Sequence, residues 1–155
     1  NRDQHSFSTQ VTDLDNIQNP SIHSLLSSKY HEAQMHRLNI HAEIPDPVIH
    51  NYLTDLDLAV VLGHLMDNAI DGARKASEGF ISLAYFDEED CQSFIIESTI
   101  AEEQLPLSMM STRLSHPEGG IGVNAVQDIL ERYPNTSFSV RSQNHKMMQI
   151  LEMRP

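Results

Sequence analysis

Hydrophobic and polar positions divide the chain into helical and extended segments. Hydrophobic residues recur at helical spacing in three stretches, residues 20–37, about 55–76 and about 122–132. We therefore predict three helices. The candidate N-cap residues are Asn19 for the first helix and Asp55 or Asp57 for the second.

Short apolar or alternating segments, typical of β-strands, lie between and after these helices. Polar turns at residues 87–90 and 143–146 join two pairs of them and indicate two antiparallel hairpins. The order helix, strand, helix, hairpin, long loop, helix, hairpin predicts an α+β fold. We expect a two-layer α/β sandwich with a mixed sheet and about three helices on one face. The predicted strands are residues 38–44, 80–85, 93–96, 138–140 and 148–153.

Length and composition narrow the class of protein. A chain of 155 residues suits one domain with one core, which we place at residues 17–155, with residues 1–16 as the remnant of a preceding helix or a linker. The formal net charge of -12 argues against binding to nucleic acid or to an anionic membrane surface. The single cysteine, Cys91, excludes an internal disulfide and a Cys-based zinc site.

No apolar run approaches the length that crosses a membrane, and no signal peptide is visible. The first residue is not Met. We therefore expect a cytoplasmic piece of a longer protein, without direct membrane contact of its own.

The second predicted helix carries the main candidate site. His64, Asn68 and Asp71 share one face of this helix, because they are four and three residues apart. Burying an Asn without a partner is unfavourable. A Mg²⁺-bound polyphosphate is one partner that would satisfy it, because Mg²⁺ takes oxygen ligands and usually lies between a protein side chain and phosphates. The alternative is a polar stripe on an ordinary amphipathic helix.

A glycine run opens the third predicted helix. Gly119, Gly120 and Gly122 would let the chain approach a phosphate closely, and the exposed N–H groups of a helix start attract anions. The run is not a Walker loop, since no Gly-Lys-Ser/Thr follows, and no strand leads into it as in a dinucleotide-binding fold. Arg113, shortly before it, is either a phosphate ligand or an exposed cation.

Together these pieces resemble the N box and the second glycine box of a GHKL-type ATP-binding domain. The variant they resemble is the catalytic domain of peptide-pheromone (quorum-sensing) receptor histidine kinases. The resemblance covers about residues 14–153, and residues 98–119, with Ser111-Thr112-Arg113, resemble the ATP lid. It implies the Bergerat/GHKL fold.

The resemblance also implies roles for individual residues. Asn68 would hold Mg²⁺. From general acid–base chemistry, we expect His64 to be the catalytic residue that orients or deprotonates the nucleophile. The implied ATP-binding residues are Asn68, Asp71, Glu97, Ser98, Arg113, Gly119, Gly120 and Gly122.

Three elements depart from the family pattern. The acidic box Asp-x-Gly-x-Gly is absent, and Glu97-Ser98 stands where it would bind adenine. His64 occupies a position that is more often Asn, and Glu118 falls where the first glycine of the second glycine box is expected.

Two functions follow as hypotheses. The first is the catalytic domain of a two-component sensor histidine kinase with ATP and Mg²⁺ as cofactors, in the cytoplasm beneath a membrane-bound receptor. It would transfer the ATP γ-phosphoryl to a His on a dimerisation helix outside this segment, within a homodimer, and the phosphate would pass to a response regulator. The second is a degenerate GHKL domain that acts as a non-catalytic docking or signalling module.

Overall fold

Three long helices and a five-stranded sheet make up the part of the chain that the structure describes. The structure is a computed structural model that describes residues 13–106 and 120–155, with residues 120–125 described by their backbone alone. The elements are α1 (Pro20–Met35), β1 (Asn39–Glu43), α2 (Asp55–Lys75), β2 (Phe80–Glu88), β3 (Cys91–Thr99), α3 (Gly120–Glu131), β4 (Thr136–Gln143) and β5 (Lys146–Met153).

The sheet is mixed, with the strand order β1-β2-β3-β5-β4. β1 runs parallel to β2, and every other neighbouring pair is antiparallel. Both predicted hairpins are confirmed, although their strands are longer than the apolar runs suggested. Glu88 pairs with Cys91, which leaves two turn residues in the first hairpin. In the second, Asn144 and His145 both have positive φ, the geometry that joins twisted strands with a two-residue turn.

The core lies between the inner face of the sheet and the helices. Along β3 buried side chains alternate with half-buried ones, so that Phe94 and Ile96 face inward. They belong to one continuous core with Leu62 and Leu65 of α2, both fully buried. This confirms the predicted two-layer α+β fold. The core also includes Leu14, just before the predicted domain boundary at residue 17.

The helix ends follow local capping chemistry. Asn19 accepts hydrogen bonds from the N–H groups of Ser21 and Ile22, as predicted for an N-cap. The predicted cap of α2 is wrong: Thr54, not Asp55 or Asp57, is the N-cap. Thr54 has extended backbone dihedrals and accepts from the N–H of Asp57, whereas both aspartates lie within the first helical turn.

The end of α3 is tied to the start of α2. The Tyr133 hydroxyl donates to Asp57 Oδ2 at 2.6 Å, and an Arg132 guanidinium nitrogen lies 3.0 Å from Asp57 Oδ1. The Thr54 N–H in turn donates to the Tyr133 hydroxyl at 3.2 Å. α3 itself begins at Gly120, two residues before its predicted start at about residue 122. These contacts fix how the glycine-bearing helix lies against α2.

Candidate functional site

The inward-facing side of α2 carries three of the predicted site residues. Asn68 is 1% exposed, and His64 and Asp71 are half-buried. Their spacing of four and three residues places all three on one side of the helix. Asp71 also accepts from Lys75 at 3.3 Å, one turn further on. The predicted helical grouping is therefore present.

Asp67, next to Asn68, forms an ion pair with a residue of α1. Lys29 of α1 lies 2.7 Å from Asp67 and 3.6 Å from Glu32. Burial lowers the pKa of Lys29, but these two carboxylates outweigh it, so that its pKa is raised. Lys29 thus joins α1 to α2 beside the predicted site.

A buried chain of amides fixes Asn68. Its Nδ2 donates to Oε1 of Gln149 at 3.3 Å, and Nε2 of Gln149 donates to the Leu65 carbonyl at 2.9 Å. Gln149 lies on β5 and is fully buried. Gln149 is not among the predicted site residues. The available signal was a polar side chain at a buried position of a strand whose other inward residues are apolar.

Ser98 lies at the inner face near the end of β3. Its hydroxyl is buried and has no hydrogen-bond partner among the described residues. α2 passes close to this strand end: a Cβ on Gly72 would lie 3.1 Å from Cγ2 of Ile100 and 3.3 Å from the Thr99 carbonyl. The end of β3 and the Asp71 turn of α2 are therefore adjacent, and an unpartnered hydroxyl lies at the edge of the predicted site.

Glu97 lies on the opposite face of the sheet from Ser98. Successive strand residues alternate between faces, and Glu97 pairs with the outward-facing Met148. Its carboxylate lies 3.8 Å from Nζ of Lys146. An open hollow of about 450 Å³ lies beside it, lined in part by Arg141 and Asn144. The structure thus does not bring Glu97 together with Asn68.

The predicted phosphate-binding segment is described in part. Gly120 and Gly122 lie in the first turn of α3, where backbone N–H groups have no partner within the helix. Val126 and Ile129 of the same helix are buried in the core that α2 shares. Gly119 and Arg113 lie outside the described residues.

The donor set suits a magnesium ion bound mainly through a ligand. Within residues 13–106 and 120–155, no group of three or more His, Cys, Asp or Glu side chains could hold a metal ion. Mg²⁺ commonly takes one or two protein oxygens and completes its shell with phosphate oxygens and water. The carboxamide oxygen of Asn68 fits that role.

Among the same residues, no helix is long and apolar enough to span a membrane.

Comparison with known proteins identifies the family. The GHKL domain family matches residues 53–154, more than half of the chain. No curated protein matches the chain. The chain belongs to the GHKL domain family.

Solved structures share the fold at low sequence identity. The catalytic domain of histidine kinase ThkA has a TM-score of 0.70 at 15% identity, covering 88% of this chain and 91% of that one. Acinetobacter baumannii histidine kinase AdeS has a TM-score of 0.63 at 16% identity, covering 86% and 62%. The mycobacterial sensor histidine kinase MprB has a TM-score of 0.59 at 12% identity, covering 84% and 92%. The chain therefore has the fold of histidine kinase catalytic domains.

Proposed function

We propose that this chain is the ATP-binding catalytic domain of a two-component sensor histidine kinase of the peptide-pheromone receptor type. The burial and the hydrogen bonding of Asn68 are the observation that carries the proposal. It is a buried amide on α2, in a GHKL fold, and its Nδ2 is held by Gln149 while its Oδ1 has no hydrogen bond within the described part of the chain. An oxygen of this kind is a ligand that Mg²⁺ accepts.

The other predicted site residues would contact different parts of the nucleotide. The N–H groups at Gly120 and Gly122 would donate to phosphate oxygens. The unpartnered hydroxyl of Ser98 would hydrogen-bond the adenine base from the end of β3. Asp71 would line the site beside Asn68. Arg113 and Gly119 remain predicted phosphate-binding residues.

The reaction would be an in-line phosphoryl transfer. Bound Mg²⁺ would neutralise charge on the triphosphate. A His nitrogen of a dimerisation helix outside this chain would attack the γ-phosphorus, the bond to the bridging oxygen would break, and ADP would leave. His64 would orient or deprotonate that nucleophile. The protein contributes mainly positioning and electrostatic stabilisation.

In the full receptor, which would be a homodimer, the domain would lie in the cytoplasm, attached to a membrane-bound sensor. The phosphorylated His would pass its phosphoryl group to a response regulator. A membrane or a nucleic acid would not be a direct partner of this domain, given its net charge of -12.

Calorimetric titration with a non-hydrolysable ATP analogue, with and without Mg²⁺, tests the nucleotide site. We expect binding that requires Mg²⁺ and is lost in Asn68→Ala. Asn135→Ala is the control, because Asn135 is exposed and its side chain bonds only the Pro155 carbonyl among the described residues. In the full receptor, Asn68→Ala should abolish autophosphorylation, and retained autophosphorylation would contradict the Mg²⁺ role.

A second candidate is a non-catalytic docking or signalling module. The position of Glu97 favours it, since the acidic side chain of the altered adenine box faces away from Asn68. A folded domain that binds no analogue up to millimolar concentration would support this candidate and contradict the kinase proposal.

A further inference from the structure

Gln149 is an unusual residue for its place. It lies in the middle of β5, is fully buried, and pairs across the sheet with Ile96 and Val140. Its inward neighbours on β5, Met147 and Leu151, are apolar and fully buried. An apolar side chain of similar size would fill this space without any hydrogen-bonding requirement, whereas a buried amide needs partners.

The partners of Gln149 determine which way its amide faces. A backbone carbonyl can accept a hydrogen bond but cannot donate one. The Leu65 carbonyl, 2.9 Å away, therefore requires the NH₂ group of Gln149. The Gln149 oxygen is left to face Asn68.

Gln149 in turn determines which way the Asn68 amide faces. The Gln149 oxygen can only accept, so the Asn68 amide must present its NH₂ group at 3.3 Å. Its Oδ1 is the atom that remains for a ligand. The polarity of both amides thus follows from one helix carbonyl, without any choice of amide orientation.

We infer that Gln149 is a positioning residue for the cation site. It holds the Asn68 amide with the oxygen directed to Mg²⁺ and prevents the flipped orientation, in which an NH₂ group would face the cation. The inference rests on the proposed function, because it concerns the metal that Asn68 would hold.

The test compares Mg²⁺-dependent nucleotide binding in two matched variants. Gln149→Met keeps the length of the side chain and removes both hydrogen bonds. Gln92→Met is the control, since Gln92 is an equally buried inward-facing glutamine that bonds the His50 carbonyl and Asp87 instead. Each is titrated with the ATP analogue in Mg²⁺ and in EDTA.

In Gln149→Met we expect the gain in affinity that Mg²⁺ provides to fall by about tenfold or more, as when a partner that orients a metal ligand is removed. In EDTA, where Asn68 has no cation to hold, the variant and the unmodified domain should show the same loss of binding. Gln92→Met should keep the full Mg²⁺ effect.

The outcomes separate the inference from the proposed function. If the unmodified domain shows no Mg²⁺-dependent binding, both fail. If it does, and Gln149→Met behaves like Gln92→Met, only the role of Gln149 is overturned. Should Gln149→Met not fold, the side-chain amide signals of the unmodified domain decide: a slowly exchanging Asn68 NH₂ supports the inference, and a freely exchanging one contradicts it.

Discussion

Two buried tyrosines differ in the hydrogen bonding of their hydroxyl groups. Tyr30 donates to the Ile40 carbonyl at 3.1 Å. The Tyr85 hydroxyl has no partner among the described residues, although its ring packs edge-on against Phe94 at 5.3 Å. Burial raises the pKa of Tyr30 to about 12, with a contribution from Asp13, and raises the pKa of Tyr85 further. Both hydroxyls therefore stay protonated in the folded protein.

Removing these hydroxyls should have different effects on stability. Tyr30→Phe should lower the free energy of unfolding by about 1 kcal/mol, because a buried hydrogen bond is lost. Tyr85→Phe should leave it unchanged or raise it by up to about 1 kcal/mol, because an unpartnered polar group is removed and the ring contact with Phe94 is kept. Urea denaturation measures both. An equal loss in the two variants would contradict this account.

Asp57 links protonation to stability. The Tyr133 hydrogen bond holds the pKa of this carboxyl below its usual value of 3.8; burial opposes the shift, and Thr54 and Arg132 add to it. A lowered folded-state pKa stabilises the fold at pH values above 3.8, and this contribution is lost as pH falls through the lowered value. The charged form therefore favours the folded state at neutral pH.

Asp57→Asn should reduce the free energy of unfolding by about 1–2 kcal/mol at neutral pH, since a charged hydrogen-bond acceptor is lost. The difference from the unmodified domain should shrink as pH falls below about 3.8, because the native carboxyl is then protonated as well. Denaturation curves at several pH values test this. Asp90→Asn, in the exposed β2–β3 turn, is the control and should change neither value.

At the scale of the elements, two glycines of α2 face different neighbours. A Cβ on Gly63 would make an ordinary contact, 3.7 Å from Cδ1 of Leu25. A Cβ on Gly72 would lie within 3.3 Å of the Thr99 carbonyl, which is backbone and cannot easily move aside. Gly72 thus permits the close approach of α2 to the end of β3, and Gly63 has no such role.

Gly63→Ala should therefore raise the free energy of unfolding by about 1 kcal/mol through its helix propensity. Gly72→Ala should give no gain or a loss, because the same propensity is offset by the contact with Thr99. Thermal unfolding of the two variants side by side is the measurement. A similar gain in both would show that the strand end can move.

The end of α1 holds a residue in a strained conformation. Arg37 has φ of 61°, its N–H bonds the Gln34 carbonyl, and the Leu38 N–H bonds the Ala33 carbonyl. This is the Schellman arrangement, which favours glycine at the position of Arg37.

Arg37→Gly should raise the free energy of unfolding by about 1 kcal/mol, because the left-handed conformation is unfavourable for a residue with a Cβ. Arg37 is exposed, so little packing is lost. Ser28→Gly, at an exposed position inside the same helix, should instead lower it. Chemical denaturation of both variants provides the comparison.

The elements themselves could be predicted from local pattern, but their exact pairing could not. The helices, the strands and both hairpins follow from periodicity and turn residues. The pairing of β3 with β5 brings together residues far apart in the chain, and no local signal specifies it. The four hairpin strands were predicted too short, because polar outward-facing residues such as Glu97 interrupt their apolar runs.

For the candidate site, the same distinction between local and distant signals applies. The shared face of His64, Asn68 and Asp71 follows from helical spacing. Strand alternation marks Gln149 as a polar residue on an inward position, but its contact with Asn68 joins residues 81 positions apart and has no local signal. Glu97 and Ser98 were treated as one box, yet strand alternation places them on opposite faces.

For the whole molecule, the net charge of -12 sets how stability should respond to salt. Self-repulsion destabilises a compact chain with a large excess of one sign. Raising sodium chloride from about 0.01 M to about 1 M shortens the screening length from roughly 30 Å to roughly 3 Å and should raise the melting temperature. Asn68→Ala should show the same rise, because screening does not require a cation site. A fall in melting temperature would mean that ion pairs such as Lys29–Asp67 dominate.

The sheet order has a consequence for the synthesis of the chain. β5 lies between β3 and β4, yet it is the last of the five described strands to leave the ribosome. Until residues 146–153 have emerged, β3 has one open edge, and the inward side chains of Phe94 and Ile96 have no β5 beside them. Open edges of this kind favour pairing with other chains. The nascent protein is therefore most prone to aggregation after β3 has emerged, and this exposure ends with the arrival of β5.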